Sequence, residues 1–208
     1  KNKGRIGDII REQKAGDPTM GAFLLRAGMM DPKNAAVSEK IKGFCRLPYR
    51  TPEGPISACP GILWNWKGCA PHAPETAETE TLLSRARSFL IVQFEGDETT
   101  TSQSRVHPFI AETGELLADG GYTVLQIYAS GPCKVCPRGC GDGATCRQPA
   151  RRLFALEACG FSVNPLCRAS ARYPVISGGP EEVEWIRDWC LPSQDTTTVR
   201  YTTGIVIG

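Results

Sequence analysis

Four cysteines fall within fourteen residues, Cys133-Lys-Val-Cys136-Pro-Arg-Gly-Cys140-Gly-Asp-Gly-Ala-Thr-Cys146, and this C-x2-C-x3-C-x5-C run constrains the chain more than any other feature. A loop that short cannot pair all four thiols with one another without straining disulfide geometry, but it can wrap them around one metal centre. Gly139, Gly141 and Gly143 permit the tight turns and close backbone approach that such wrapping needs. Zinc also accepts four thiolates, but zinc ribbons and fingers set two C-x2-C knuckles far apart. Here one knuckle is followed closely by two single cysteines, and Pro137 follows Cys136, a placement also seen in ferredoxin loops. The spacing predicts a [4Fe-4S] centre held by Cys133, Cys136, Cys140 and Cys146, with zinc as the alternative. Lys134, Arg138, Arg147, Arg151 and Arg152 stand against Asp142 alone between Cys133 and Arg152, a balance suited to a net-anionic cluster.

Cys45, Cys59 and Cys69 are more open, with thirteen and nine residues between them. They predict a second centre whose fourth ligand comes from afar, from Cys159 or Cys167. Trp64 and Trp66 would shield it from water or serve as plain core. Cys190, beside Trp189, reads as a buried thiol. His72, just past Cys69, is a candidate donor to a cluster ligand, whereas His107, before Pro108, reads as a surface or packing residue. Ten cysteines in 208 residues lie below the density of a small disulfide scaffold. Thiols kept as ligands imply a reducing, cytoplasmic setting; an extracellular disulfide protein is the contrary reading.

A net charge of +2 argues against a nucleic-acid binder, and no apolar stretch approaches the ~20 residues that span a bilayer. The chain opens on Lys1 without a signal-peptide pattern, which predicts a processed or partial chain. Residues 1–43 read as a helical N-terminal extension. Ile6, Ile9 and Ile10 share one face, Asp17-Pro18 starts a helix that Gly28 stops, and Asp31-Pro32 starts another that Gly43 stops. Residues 44–208 read as a cysteine-rich iron–sulfur domain. In it a Pro- and Gly-rich loop over 45–74 precedes a helix over Thr76–Arg87 and a strand over Ser88–Phe94. A polar loop over Asp97–Ser104 leads to a helix over Phe109–Ala118 and a strand over Tyr122–Tyr128. A helix over Pro149–Ala158, a short strand over Phe161–Val163 and a helix from Asn164-Pro165 follow. Gly178-Gly179-Pro180 is a turn, Glu181–Trp189 a helix and Val199–Ile207 the last strand. Strands alternating with helices predict an α+β or layered α/β core: a small sheet with flanking helices and Cys-rich loops.

The stretch Cys59-Pro60-Gly61-Ile62-Leu63-Trp64-Asn65-Trp66-Lys67-Gly68-Cys69-Ala70-Pro71-His72 resembles the C-P-x-Y-G-x-x-W-x-C-P-P signature of the DUF2284 family of predicted metal-binding proteins. That family continues with G-P-C-x-x-C-x-x-C, C-R-x-P and S-M-E-A-C-G-I. Here Gly131-Pro132-Cys133-Lys134-Val135-Cys136, Cys146-Arg147-Gln148-Pro149 and Leu156-Glu157-Ala158-Cys159-Gly160-Phe161 follow in the same order at similar distances. The resemblance runs from about Cys45 to Arg172. Ile62-Leu63 replaces Tyr-Gly, Ala70 replaces a Pro, and Ala155-Leu156 replaces Ser-Met. Three residues separate Cys136 from Cys140 where the family has two, and a longer insert parts Cys45 from Cys59. The resemblance implies a divergent member with a metal role for both cysteine groups and for Cys159, specialised as a subunit of a larger assembly of the anaerobic type.

No nucleophile elbow, phosphate-binding glycine loop, H-E-x-x-H motif or local carboxylate pair occurs. The expectation is therefore an iron–sulfur protein with one or two [4Fe-4S] clusters on Cys133, Cys136, Cys140 and Cys146 and on Cys45, Cys59, Cys69 and Cys159. It would pass electrons to a redox partner protein or within a larger enzyme complex, as an accessory subunit more than an independent catalyst. A zinc-binding interaction module and an enzyme using an open cluster site as a Lewis acid are the alternatives.

Overall fold

The computed structural model of the protein describes residues 2–20, 24–51, 54–96, 99–140, 145–176 and 199–208. The run Phe89-Leu90-Ile91-Val92 is wholly buried, as expected of a strand covered on both faces. It lies in β4 (Ser88–Gly96), an inner strand of a five-stranded sheet. β4 pairs antiparallel with β1 (Leu24–Met30) on one side and with β7 (Val199–Ile207) on the other. β7 pairs antiparallel with β5 (Val124–Ala129), and β5 pairs parallel with the two-residue β6 (Phe154–Ala155). The order is β1-β4-β7-β5-β6, and with its flanking helices the fold is α+β.

Alternation along β4 sends side chains to two cores. Leu90, Val92 and Phe94 join Ile205 and Ile207 beneath α1 (Asn2–Gly16) and α5 (Thr99–Asp119). Ile6 and Ile10 of α1 and Val106, Phe109, Ile110 and Leu117 of α5 fill that side. Phe89 and Ile91 point the other way, to Tyr128, Val206, Phe161, Leu83 of α4 (Thr76–Ser84) and Leu166 of α6 (Val163–Ser170). Phe89, Tyr128 and Phe161 form a ring trio with centroids 5.9, 5.6 and 5.1 Å apart.

The structure revises several local expectations. Asp17-Pro18 opens a 3-10 turn over Pro18–Met20, and the expected helix gives way to a strand before Gly28. Leu24–Met30 is β1, hydrogen-bonded to β4 along seven residue pairs. Pairing with an apolar neighbour overrides a stretch poor in β-branched residues. Asp31 caps a second 3-10 turn, over Pro32–Asn34, and Gly43 closes α2 (Glu39–Gly43). The expected loop before Phe109 is helical from Thr99, and α5 runs through Pro108. The expected helix over Pro149–Ala158 is two 3-10 turns, Pro149–Arg151 and Glu157–Cys159, with β6 between them. Gly160 closes the second turn in a left-handed conformation. Phe161 makes a single bridge to Val37 instead of a strand, and Val163 already belongs to α6. The loop over 45–74 holds a hairpin, β2 (Tyr49–Thr51) with β3 (Gly54–Ile56), and the short α3 (Pro60–Leu63). The turn at Gly178–Pro180, the helix over Glu181–Trp189 and Cys190 lie outside the described residues.

Phe89 anchors the ring trio, so Phe89→Ala is expected to lower stability by about 3–5 kcal/mol. Chemical denaturation monitored by circular dichroism measures it.

Candidate metal centre

Parallel strands deliver their carboxyl ends to the same side of a sheet. β5 ends at Ala129 and β6 at Ala155, directly paired. The chains beyond them, Ser130-Gly131-Pro132-Cys133 and Leu156-Glu157-Ala158-Cys159, therefore emerge together. A third segment joins them where Ala155 donates its N–H to the Gly68 carbonyl at 2.8 Å. A side chain at Gly68 would meet the Leu153 carbonyl oxygen at 2.2 Å and Cys133 Cβ at 3.1 Å, so only glycine lets Cys69 sit this close to the Cys133 loop.

The open spacing of the first three cysteines closes through local structure. The β2–β3 hairpin turns the chain back on itself, and at its base Cys59 N–H donates to the Cys45 carbonyl at 3.0 Å. Cys59 precedes α3, and the amides of Gly61 and Ile62 donate to its sulfur. A turn then carries Cys69 N–H to the Trp66 carbonyl at 3.0 Å. A Cβ on Gly61 would lie 2.5 Å from Cys69 Sγ, so the bare glycine makes the niche that sulfur occupies.

Electrostatics divide these thiols into donors and acceptors. Cys45 donates its S–H to Cys59, which holds Cys45 protonated and pulls the Cys59 thiol below its ordinary value. Burial pushes Cys69 up, and the nearby Cys59, Glu157, Cys133 and Cys159 add to the effect. Cys159 is fully buried and pushed up to about 12, with Lys42 opposing. Burial raises the carboxyl of Glu157 as well. Cys45, Cys59, Cys69 and Glu157 line a cavity of about 560 Å³, with Trp64, Trp66 and Lys134.

In the second group, burial raises Cys133, while the amides of Val135 and Leu153 donate to its sulfur and oppose the rise. Gly139 N–H closes a turn on the Cys136 carbonyl at 2.9 Å. Cys136 is raised by burial and by neighbouring Cys146 and Cys140, and lowered by Arg147 and Arg151. All nine described cysteines are free thiols.

Among the described residues, no group of three or more His, Cys, Asp or Glu side chains is set to hold a metal ion. The thiols are gathered without converging on one point. Residues 141–144, between Cys140 and Cys146, are outside the description. The donor set itself fits a thiophilic metal: soft sulfurs, backbone amides aimed at two of them, and a glycine niche for a third.

Other candidates fall elsewhere. Cys167 Sγ lies 3.7 Å from Thr202 Oγ1 and 4.0 Å from Gln93 Nε2, against the sheet. His72 Nε2 sits 2.6 Å from Asn65 Oδ1. Trp64 is 65% exposed, no part of the core, whereas Trp66 is half-buried.

Glu157 has no expected metal role, Lys134 is one of several cations around the Cys133 group, and His107 takes the packing alternative, yet all three hold defined places here. Glu157 stands inside the E-A-C-G segment, two residues before Cys159, and lines the same cavity as Cys45, Cys59 and Cys69. Lys134 lies over the Trp66 ring at 3.9 Å. His107 is fully buried and spans the turn before Cys133. Its Nε2–H donates to the Ser130 carbonyl at 3.0 Å, and its Nδ1 accepts the Lys134 N–H at 3.0 Å. Acceptance at Nδ1 requires the neutral ring, and no local motif marks it.

The fold and the thiol site define a cysteine-rich α+β protein built to gather soft ligands. The family model of DUF2284, described as predicted metal-binding protein, matches residues 58–187, more than half of the chain. The chain belongs to this family. The match takes in Cys59, Cys69, Cys133, Cys136, Cys140, Cys146 and Cys159 and leaves Cys45 outside. No curated protein and no solved structure matches the chain. No helix among the described residues is long and apolar enough to cross a membrane.

Burial lowers His107 from 6.5 to about 4. Between those values the unfolded chain binds a proton that the folded chain refuses, so stability is full above pH 6.5 and falls as pH drops towards 4. The loss amounts to about 3 kcal/mol. Denaturation curves across this range measure it, and His107→Gln is expected to flatten its contribution.

Proposed function

We propose that this protein binds one or two [4Fe-4S] clusters and passes single electrons to a redox partner protein or within a larger enzyme assembly of the anaerobic type. One cluster would be held by Cys133, Cys136, Cys140 and Cys146, the other by Cys45, Cys59, Cys69 and Cys159. The observation that carries the reading is the meeting of two sets of free thiols at the carboxyl ends of β5 and β6. Such clusters supply one-electron transfer when bound.

The chain's own residues do the rest. Amides of Gly61, Ile62, Val135 and Leu153 donate to the sulfurs of Cys59 and Cys133, which stabilises added negative charge. Trp66 lines the cavity beside Cys45, Cys59 and Cys69. Exposed Phe44, Leu47, Leu63 and Trp64 flank Cys45 and Cys59 in sequence and offer a partner an apolar contact. The free thiols favour a reducing, cytoplasmic setting.

A second reading comes from the cavity. Cys45, Cys59 and Cys69 line it, while Cys159 is buried and not among its lining residues. Three lining thiols suit a centre with one free coordination position, acting as a Lewis acid on a small molecule.

Anaerobic purification with iron and sulfide counts, followed by EPR of the reduced state, tests the proposal. About eight irons per chain is expected for two centres and about four for one. Colourless protein with stoichiometric zinc, or iron-free protein, overturns it. Cys159→Ala keeps both centres only on the second reading.

A side chain at Gly61 would displace the Cys69 sulfur. Gly61→Ala is therefore expected to lose about half of the iron, with Cys136→Ser removing the other half; iron analysis of the folded variants reads both.

A further inference from the structure

We propose that the Lys134 ammonium, stacked on Trp66, is a cation shared by the two cysteine groups. The inference rests on the cluster reading above and gives one of the basic residues around the Cys133 group a specific place between the two groups. Two cavities adjoin the thiols. One, of about 560 Å³, is lined by Cys45, Cys59 and Cys69; the other, of about 390 Å³, is lined by Cys136, Pro137 and Gly139. Trp66 and Lys134 are the two residues common to both linings. Together they form the partition between the groups.

The partition is fixed from both sides. Lys134 Nζ stands 3.9 Å from the centroid of the Trp66 ring, within cation–π range. The Lys134 amide donates to buried His107 Nδ1 at 3.0 Å. Trp66 N–H donates to the Gly61 carbonyl at 2.9 Å, and its own carbonyl accepts from Cys69 at 3.0 Å. These bonds fix the backbones from which the ring and the ammonium meet.

Lys134 borders the cavity lined by Cys45, Cys59 and Cys69 and also the one lined by Cys136, so its charge faces both groups. A fixed positive charge near a cluster stabilises the added electron and so raises the potential. Lys134 therefore raises the potentials of both centres together.

The test compares the anaerobically purified wild-type chain with Lys134→Met, Lys134→Arg and Trp66→Leu. Iron and sulfide are counted first, then redox titrations are followed by EPR. Lys134→Met is expected to keep its iron and to lower the midpoint potentials of both centres. Lys134→Arg is expected to restore them, and Trp66→Leu to lower them less than Lys134→Met does. Unmoved potentials, a shift in one centre alone, or equal shifts in the Met and Arg variants overturn the proposal. So does a wild-type chain with a single centre. Iron-free wild-type protein defeats the cluster reading instead. In that case a double-mutant cycle of Lys134→Met and Trp66→Leu on unfolding still decides the contact: a coupling between the two supports the partition, and additive effects overturn it.

Discussion

The parallel pairing of β5 with β6 is the constraint on which the site depends. It covers only Tyr128 with Phe154 and Ala129 with Ala155, yet it sends two cysteine-bearing segments out of the sheet at one end. Leu156 N–H bonds the Ala129 carbonyl at 3.1 Å just beyond it, extending the register by one step. The Gly68 carbonyl then accepts from Ala155, and a third segment is pinned to the same spot. An antiparallel β6 would leave Cys159 and Cys133 at opposite ends of the sheet. The doubly apolar β4 makes this possible at a distance, because a strand buried on both faces obliges helices to cover both sides of the sheet.

The thiols sit in surroundings that disfavour charge. Burial raises Cys69, Cys133, Cys136 and Cys159, and each raises its neighbours further. Cys59, with a neighbouring S–H and two amides directed at it, is pulled the other way. Buried thiols crowded together are costly to ionise one by one. A divalent metal or a cationic iron–sulfide core relieves that crowding, since it neutralises several thiolates at once. The family's metal-binding description and the local electrostatics therefore lead to the same chemistry.

Much of this architecture was legible in the residues. The apolar run of β4 and the last strand, Val199–Ile207, declare themselves, as do the isoleucine face of α1 and the four crowded cysteines. Other features were hidden for physical reasons. β1 carries Arg26, Gly28 and two methionines, and is a strand because β4 requires an edge partner. Thr99–Ser104 is polar and turn-like, but it forms the opening of a helix that must span from β4 to β5. Glu157–Cys159 looked helical because its composition is helical, while β6 and the bonds to Ala129 and Gly68 hold it in short turns. His107 and Lys134 act through contacts 27 positions apart in the chain and across loops, which no window of sequence contains.

The hairpin between Cys45 and Cys59 has a consequence for how such proteins are found. Its two strands rejoin at the Cys59–Cys45 hydrogen bond, so the separation of those cysteines in space is set at the stem and is indifferent to the length of the tip. Residues can be added to or trimmed from that tip without altering how the sulfurs face each other. A search pattern that demands fixed spacing before Cys59 will pass over cousins that share the same stem. One keyed to two cysteines bracketing a hairpin of arbitrary length would gather them.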